Sequence, residues 1–179
     1  MLVSMFGLWY IYTVVCLETA KTQKTYSVLA FVAFSIFCFL EICLRSTELF
    51  YVQIHLPAQY QSLSDTGSRL IIENIVKAFY QVQSALYFPL GLGWMLGSLI
   101  VALTSPRSHV NYILKATFAI NAVRIFVRIL TVYVGFDILN DKIYSAIYLP
   151  LVVITFGLLG FWFLKSHRVD KAATAVRQL

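Results

Sequence analysis

The sequence predicts an all-α protein, a polytopic bundle of five transmembrane helices with its N-terminus outside and its C-terminus inside. Three observations predict this class. Of the 179 residues, 60% are hydrophobic and only 12% are charged, with a mean hydropathy of +0.79, whereas soluble domains are about one quarter charged. Five apolar segments are long enough to cross a hydrocarbon core of about 30 Å. The uneven distribution of basic residues between the connections sets the orientation.

The predicted spans cover about residues 2–17, 26–56, 78–103, 112–136 and 143–164. The first lacks the basic start and the small-residue cleavage site of a signal peptide, so we expect it to be retained. Residues 1–164 then form a single transmembrane domain, and residues 165–179 form a basic cytoplasmic tail. We expect a multi-pass protein of an inner or plasma membrane, with the lipid bilayer as its first partner.

The connections divide into two sets by charge. One set holds eight of the fourteen Lys and Arg residues, namely Lys21, Lys24, Arg107, Lys115, Lys165, Arg168, Lys171 and Arg177. The other set, residues 57–77 and 137–142, holds three basic residues beside four acidic ones. Because the two sets fall on opposite sides of a five-span trace, the positive-inside rule predicts an outside N-terminus. A hydrophobic chain start is less usual there, so an upstream span, missing from this sequence or supplied by a partner, stays an open alternative.

The connection between the second and third spans combines turn chemistry with a helix. Pro57 is expected to end the second helix, and Ser68 to cap a helix that begins at Arg69. Glu73 and Lys77 are four residues apart and can pair on the wet face of that helix. A continuous helix from here through the third span would be longer than the hydrocarbon core, so it must protrude or bend.

Small residues mark the third span as a packing surface. Gly93 and Gly97 form a GxxxG step, which lets two membrane helices approach closely, so we expect both at a helix contact. Pro89 removes one helical hydrogen bond, and we expect any bend of this span there.

Apart from Lys115, which is assigned to the connection before the fourth span, five charged residues lie inside the predicted spans. Glu41, Arg45 and Glu48 share one face of the second span, because they are spaced by four and three. Counted at about 1.5 Å per residue, they lie at the same outer-half level as the arginines of the fourth span, and Gln81 and Gln83 of the third span reach roughly this layer. The fourth span carries a polar stripe at spacings of four and three, formed by Thr117, Asn121, Arg124, Arg128 and Thr131.

These charges are expected to compensate one another. An unpaired charge at the middle of a membrane costs at least about 2.5 to 3.5 kcal/mol. We therefore predict that the second and fourth spans touch. The predicted ion pairs are Glu41 with Arg124 and Glu48 with Arg128. The cluster then holds three cations against two anions.

The surplus positive charge supports two functional interpretations. In the first, the charged residues line an outward-facing cavity that binds or transports a small anionic solute. In the second, they form a buried network that fixes helix packing, and the protein is a non-catalytic subunit of a larger membrane assembly or a homo-oligomer. The candidate site residues are the same in both, namely Glu41, Arg45, Glu48, Gln81, Gln83, Asn121, Arg124 and Arg128.

The other chemistry-bearing residues form no pattern typical of a catalytic, metal or cofactor site. The three histidines lie near helix ends, and the three cysteines are scattered through apolar segments without a CxxC pair. No phosphate-binding loop, nucleophile elbow or HExxH element is present. We expect no metal, no cofactor and no nucleic-acid partner. An enzyme would need Glu41 or Glu48 as its acid or base, and we favour a protein without catalytic activity.

Four features in order resemble a bacterial six-span membrane family of unknown function. They are the acidic and arginine-containing stretch "FLEICLRSTELF", the long polar connection, the glycine-rich span and the short turn "TSPRS". The resemblance covers residues 26–135. Because that family has six spans, it implies a further helix that is missing here or supplied by a partner. It implies no activity.

Overall fold

In the computed structural model, the described backbone covers residues 2–106, 109–136 and 141–177, and the described side chains cover residues 2–106, 111–136 and 146–166. The regular elements in these ranges are all helical. The α-helices are α1 (Leu2–Ala20), α2 (Lys24–Ser46), α3 (Leu56–Ser62), α4 (Thr66–Thr104), α5 (His109–Ile129) and α6 (Asp141–Arg177). Two π-helical segments, π1 (Thr47–His55) and π2 (Leu130–Val134), continue α2 and α5.

Among the described residues, five helical stretches are long and apolar enough to cross a membrane, namely Leu2–Ala20, Lys24–Ser62, Thr66–Thr104, Asn111–Val134 and Ala146–Ser166. They overlap the five predicted spans, which confirms an all-α, multi-pass membrane protein. The orientation remains a prediction. Several of the charges on which it rests, including Arg107, Asp137 and the basic residues of the tail beyond Lys165, lie outside the described side chains.

The second and third spans are much longer than a bilayer core. α2 continues through π1 and α3 without a break, and α4 matches it, each stretch having 39 residues. A helix of that length is about 58 Å long, almost twice a hydrocarbon core of ~30 Å. The two therefore form a hairpin that protrudes at residues 63–65, which we call the hairpin end. The opposite end, at residues 21–23 and 105–106, is called the turn end.

The prediction that Pro57 ends the second helix is wrong. The N–H of Leu56 bonds the carbonyl of Tyr51, five residues back, where π1 gives way to α3. Pro57 thus stands in the first turn of a new α-helical segment. Proline is tolerated in the first turn of an α-helical segment more readily than in its interior.

Asp65, and not Ser68, caps α4. The Asp65 carboxylate accepts hydrogen bonds from the backbone N–H of Ser68 at 2.8 Å and from its hydroxyl at 2.9 Å. Together with the N–H of Gly67, these donors hold the pKa of Asp65 below its usual value, because they stabilise the charged form. The helix consequently begins at Thr66, three residues before the predicted Arg69.

The protruding hairpin is tied across its two arms. The hydroxyl of Tyr60 donates to the Glu73 carboxylate at 3.2 Å, and Arg69 Nε donates to the carbonyl of Leu63 at 2.9 Å. The expected pair of Glu73 with Lys77 along α4 does not form. Glu73 bonds the facing helix because α3 folds back beside it.

Helix order places α4 at the centre of the bundle. α4 packs on both α2 and α5, while α1 covers α2 and α6 covers α5. Aromatic rings close the middle of this bundle. Tyr12 stacks on Phe34 at 4.2 Å between centroids, Phe37 stacks on Trp94 at 4.6 Å, and Phe118 lies 5.7 Å from Phe34. The indole N–H of Trp94 donates to the Tyr12 hydroxyl at 2.7 Å. These five residues are called the aromatic floor.

The two glycines of the GxxxG step lie against α2. A Cβ atom at Gly97 would stand 2.8 Å from Cε1 of Phe34, and one at Gly93 would stand 3.0 Å from the carbonyl oxygen of Ala33. Any larger side chain would push α4 and α2 apart. α4 continues as a helix through Pro89, and the bend expected there stays a prediction.

Candidate functional site

The three charged residues of the second span form ion pairs within a single helix. Arg45 Nε donates to Oε1 of Glu41 at 2.8 Å, and its Nη1 donates to Oε2 of Glu48 at 2.7 Å. Spacings of four and three bring these side chains together on the helix surface. We call the three residues the α2 trio, and it carries one net negative charge. Gln83 of α4 extends it, because its Nε2 donates to Glu48 at 3.3 Å.

The predicted pairs of Glu41 with Arg124 and of Glu48 with Arg128 are wrong. Both carboxylates bond Arg45, and neither arginine of α5 forms an ion pair with a described carboxylate. The physical reason is that α4 lies between α2 and α5, so the partner one turn away on the same helix is closer. α2 and α5 do meet in the aromatic floor, through Phe34 and Phe118.

Arg124 is a buried cation, only 3% exposed, held between aromatic rings. Its guanidinium carbon lies 4.8 Å from the ring centroid of Trp94 and 4.8 Å from that of Tyr148. Nη2 donates to Asn121 at 2.8 Å, and Asn121 in turn donates to the Ser98 hydroxyl at 2.8 Å. Nε and Nη1 of Arg124 have no hydrogen-bond partner among the described protein atoms. Donors of a buried guanidinium are therefore available to an acceptor from elsewhere.

Arg128 lies one turn nearer the hairpin end and is also held by aromatic side chains. Its Nη1 donates to the Tyr148 hydroxyl at 2.7 Å, and its guanidinium carbon lies 5.4 Å from the centroid of that ring. The Tyr87 ring lies 5.9 Å from Arg128 and 5.9 Å from Arg45, so it separates the cations of the two helices. We call Arg124 and Arg128 the α5 arginines. Their two positive charges have no carboxylate partner in the described part of the chain.

A cavity of about 320 Å³ lies between the α2 trio and the α5 arginines, and Glu41, Arg45 and Arg128 line it, whereas Glu48 and Arg124 do not. That volume is at the small end of the range for small-molecule sites, about 300 to 1,000 Å³. Phe37 and Trp94 of the aromatic floor line it as well. Its polar lining consists of Glu41, Arg45, Tyr87, Arg128, Tyr133 and Tyr148.

The structure gathers the predicted site residues with one exception. Gln83 is buried against Glu48, whereas Gln81 is exposed and makes no contact with the cluster. Residues at positions i and i+2 of an α-helix point about 200° apart around the helix axis. Only one of these two glutamines can therefore face the α2 trio. Asn121 belongs to the site as a residue that positions Arg124.

Tyr87, Trp94 and Tyr148 were not predicted as partners of the arginines. A signal was present. Tyr87 and Trp94 are seven residues apart and share one face of α4. Arginines without acids are typically held over aromatic rings, with tryptophan the best partner.

Both charged helices change register beside the cavity. π1 begins two residues after Arg45, and π2 begins two residues after Arg128. π-helical turns occur frequently at functional sites. Their position on both sides of the cavity supports a functional role for this layer of the bundle.

Comparison of the chain with protein-family models, with curated proteins and with solved structures finds no match. The resemblance to a six-span family stays an expectation. In the parts of the chain where side chains are described, no three His, Cys, Asp or Glu residues come close enough together to hold a metal ion. The function is therefore inferred from the geometry of the cavity and its charges.

Proposed function

We propose that this protein binds a small anionic solute in the cavity between the α2 trio and the α5 arginines. The observation that carries the proposal is the uneven pairing of charge. Glu41 and Glu48 are both bonded by Arg45, while the α5 arginines have no carboxylate partner in the described part of the chain. A carboxylate on the solute supplies the acceptor that these two cations lack.

The charge around the cavity favours a monoanion. The α2 trio carries one negative charge and the α5 arginines carry two positive ones, which leaves a single positive charge. Glu41 itself lines the cavity. A dianion would lie close to the Glu41 carboxylate, and the like charges would repel each other.

The aromatic floor favours binding over free conduction. Tyr12, Phe34 and Phe118 are each 2% exposed or less, and they fill the bundle on the turn-end side of the cavity. A solute that crosses the bundle would have to displace these stacked rings. With the orientation that the basic residues predict, the cavity faces the outer side of the membrane.

Acetate binding to the protein in lipid nanodiscs tests the proposal. At constant ionic strength, the melting temperature should rise with the logarithm of the acetate concentration once this exceeds the Kd, because a ligand that binds only the folded state stabilises it. Arg128→Gln should abolish this rise. Lys77→Gln, which removes an exposed cation of the hairpin, should keep it. No rise with acetate, or a rise that is equal in the wild type and Arg128→Gln, overturns the proposal.

A second candidate function is that of a non-catalytic subunit in a membrane assembly, and the hairpin end favours it. Leu70 and Ile71 of α4 are 54% and 61% exposed. They lie about 50 Å along the helix from Thr104, beyond the reach of a ~30 Å hydrocarbon core. Exposed apolar side chains there are typical of a protein contact. Light scattering of the purified protein tests the homo-oligomer form of this function, since a monomeric mass would contradict it.

A further inference from the structure

We infer that the solute is a monocarboxylate with an apolar body, and that this body lies in a groove between α5 and α6. The inference rests on the proposed function and names its ligand class. The groove has a volume of about 360 Å³, within the range of small-molecule sites. It is called the α5–α6 groove, and its lining includes Val123, Val127, Ile147 and Leu151 together with Arg124 and Tyr148.

The α5–α6 groove combines an apolar wall with one cation. Apart from Arg124 and Tyr148, its lining side chains are all apolar. Arg124 is 97% buried, and its Nε and Nη1 are the nitrogens without a hydrogen-bond partner among the described protein atoms. A ligand complementary to this surface carries one anionic group for Arg124 and an apolar body for the valines and aliphatic side chains.

Tyr148 is shared by the groove and the cavity. It lines both, and its ring lies over Arg124 while its hydroxyl accepts a hydrogen bond from Arg128. A carboxylate beside this ring lies near both α5 arginines, on the side of the bundle where the groove begins. The anionic group therefore lies beside Tyr148, near Arg124 and Arg128, and the groove holds the rest of the molecule.

The mouth of the groove faces the hydrocarbon. Val123 is 63% exposed and Ile147 is 44% exposed, and both belong to helices that are apolar enough to span the membrane. Arg124 lies thirteen residues into its span from Asn111, about 20 Å along the helix. An acid with an apolar body dissolves in the bilayer and reaches this depth from the side, between α5 and α6, whereas a strongly hydrated anion does not.

A series of acids of increasing length tests the inference. Acetate, butyrate and hexanoate share one carboxylate and differ by two methylenes at each step. Affinity for the wild type in nanodiscs should rise about fourfold for each methylene buried in the groove, or about 15-fold at each step. Binding to nanodiscs without protein is subtracted, because longer acids also enter the lipid.

Two matched variants separate the groove from the membrane. Val123→Trp fills the mouth of the groove and should keep acetate affinity while losing the gain with length. Val153→Trp changes a valine of α6 that is equally exposed, at 64%, and does not line the groove, so it should keep both. Arg124→Gln should weaken all three acids by the same factor, because it removes the carboxylate contact and leaves the groove intact.

The outcomes distinguish the two proposals. Acetate binding with no gain in affinity along the series overturns the inference alone, as does a gain that Val123→Trp retains. If none of the three acids binds, the proposed function fails as well. If Val123→Trp does not fold, the three acids still test the inference on the wild type. Binding in the groove requires that affinity rises with the length of the acid.

Discussion

The α2 trio and the α5 arginines lie on opposite sides of the same cavity, but the protein holds their charges in different ways. On α2, Arg45 bonds both acids from its own helix, so each acid has its partner before the helices pack. On α5, both arginines depend on rings that come from α4 and α6. Ring faces attract a cation without cancelling its charge. Local pairing thus makes a charged helix compatible with the membrane, whereas aromatic contacts keep a cation available to a ligand.

Removal of the α2 cation should have the largest effect on stability. Arg45→Gln leaves Glu41 and Glu48 facing each other, with side chains only 12% and 17% exposed. We expect the free energy of unfolding to fall by about 3 kcal/mol, the lower end of the range for a buried charge that loses its partner, because the trio is partly exposed. Unfolding in mixed micelles with increasing denaturing detergent measures this loss.

A neutral version of the trio is the control for that loss. A chain that carries Glu41→Gln, Arg45→Gln and Glu48→Gln together has no unpaired charge in the trio. It should therefore recover most of the free energy of unfolding that Arg45→Gln loses. If the triple variant is as unstable as Arg45→Gln alone, the loss comes from packing and the account of the trio is wrong.

The difference between α2 and α5 also depends on α4, which lies between these two helices and keeps them apart. In Gly97→Leu, the new Cβ atom would lie only 2.8 Å from Cε1 of Phe34, which is fully buried. The substitution should lower the free energy of unfolding by about 1 to 3 kcal/mol. Gly160→Leu is the matched control, because a Cβ atom there would meet nothing within 4 Å. Equal stability of the two variants in the same unfolding experiment would show that α2 and α4 do not need this close approach.

Loss of a cation from α5 should have the smallest effect on stability. Arg124→Gln gives up two ring contacts but also removes a buried charge that has no acid, so the unfolding free energy should change by no more than about 1 kcal/mol. The same variant should weaken carboxylate binding. If Arg124→Gln destabilises the protein as much as Arg45→Gln, the arginine serves the fold and the difference between α2 and α5 disappears.

Composition and periodicity predicted the spans and the shared face of Glu41, Arg45 and Glu48, because both are properties of the chain alone. The partners of the arginines were not predicted. A count of residues gives the depth of a charge, but it does not say which helix lies between two charges of equal depth. The spacing of four between Glu41 and Arg45 already indicated a pair within one helix, whereas Glu41 was predicted to pair with Arg124 of the other helix.

Two further misses have equally specific causes. Pro57 was expected to end a helix because that rule assumes the α-helical hydrogen-bond register, and π1 shifts the register by one residue just before it. Gln81 was included with Gln83 because they share a depth, although they cannot share a face. Depth, face and register are separate quantities, and the site depends on all three.

The central claim is that the α5 arginines hold an organic anion. Bromine anomalous scattering from crystals grown with 4-bromobenzoate tests it most directly. The account predicts a carboxylate within hydrogen-bond distance of Arg124 or Arg128, with the bromine peak towards Val123 in the α5–α6 groove. A carboxylate bound at Arg45, or no bromine peak in the cavity or the groove, would contradict it.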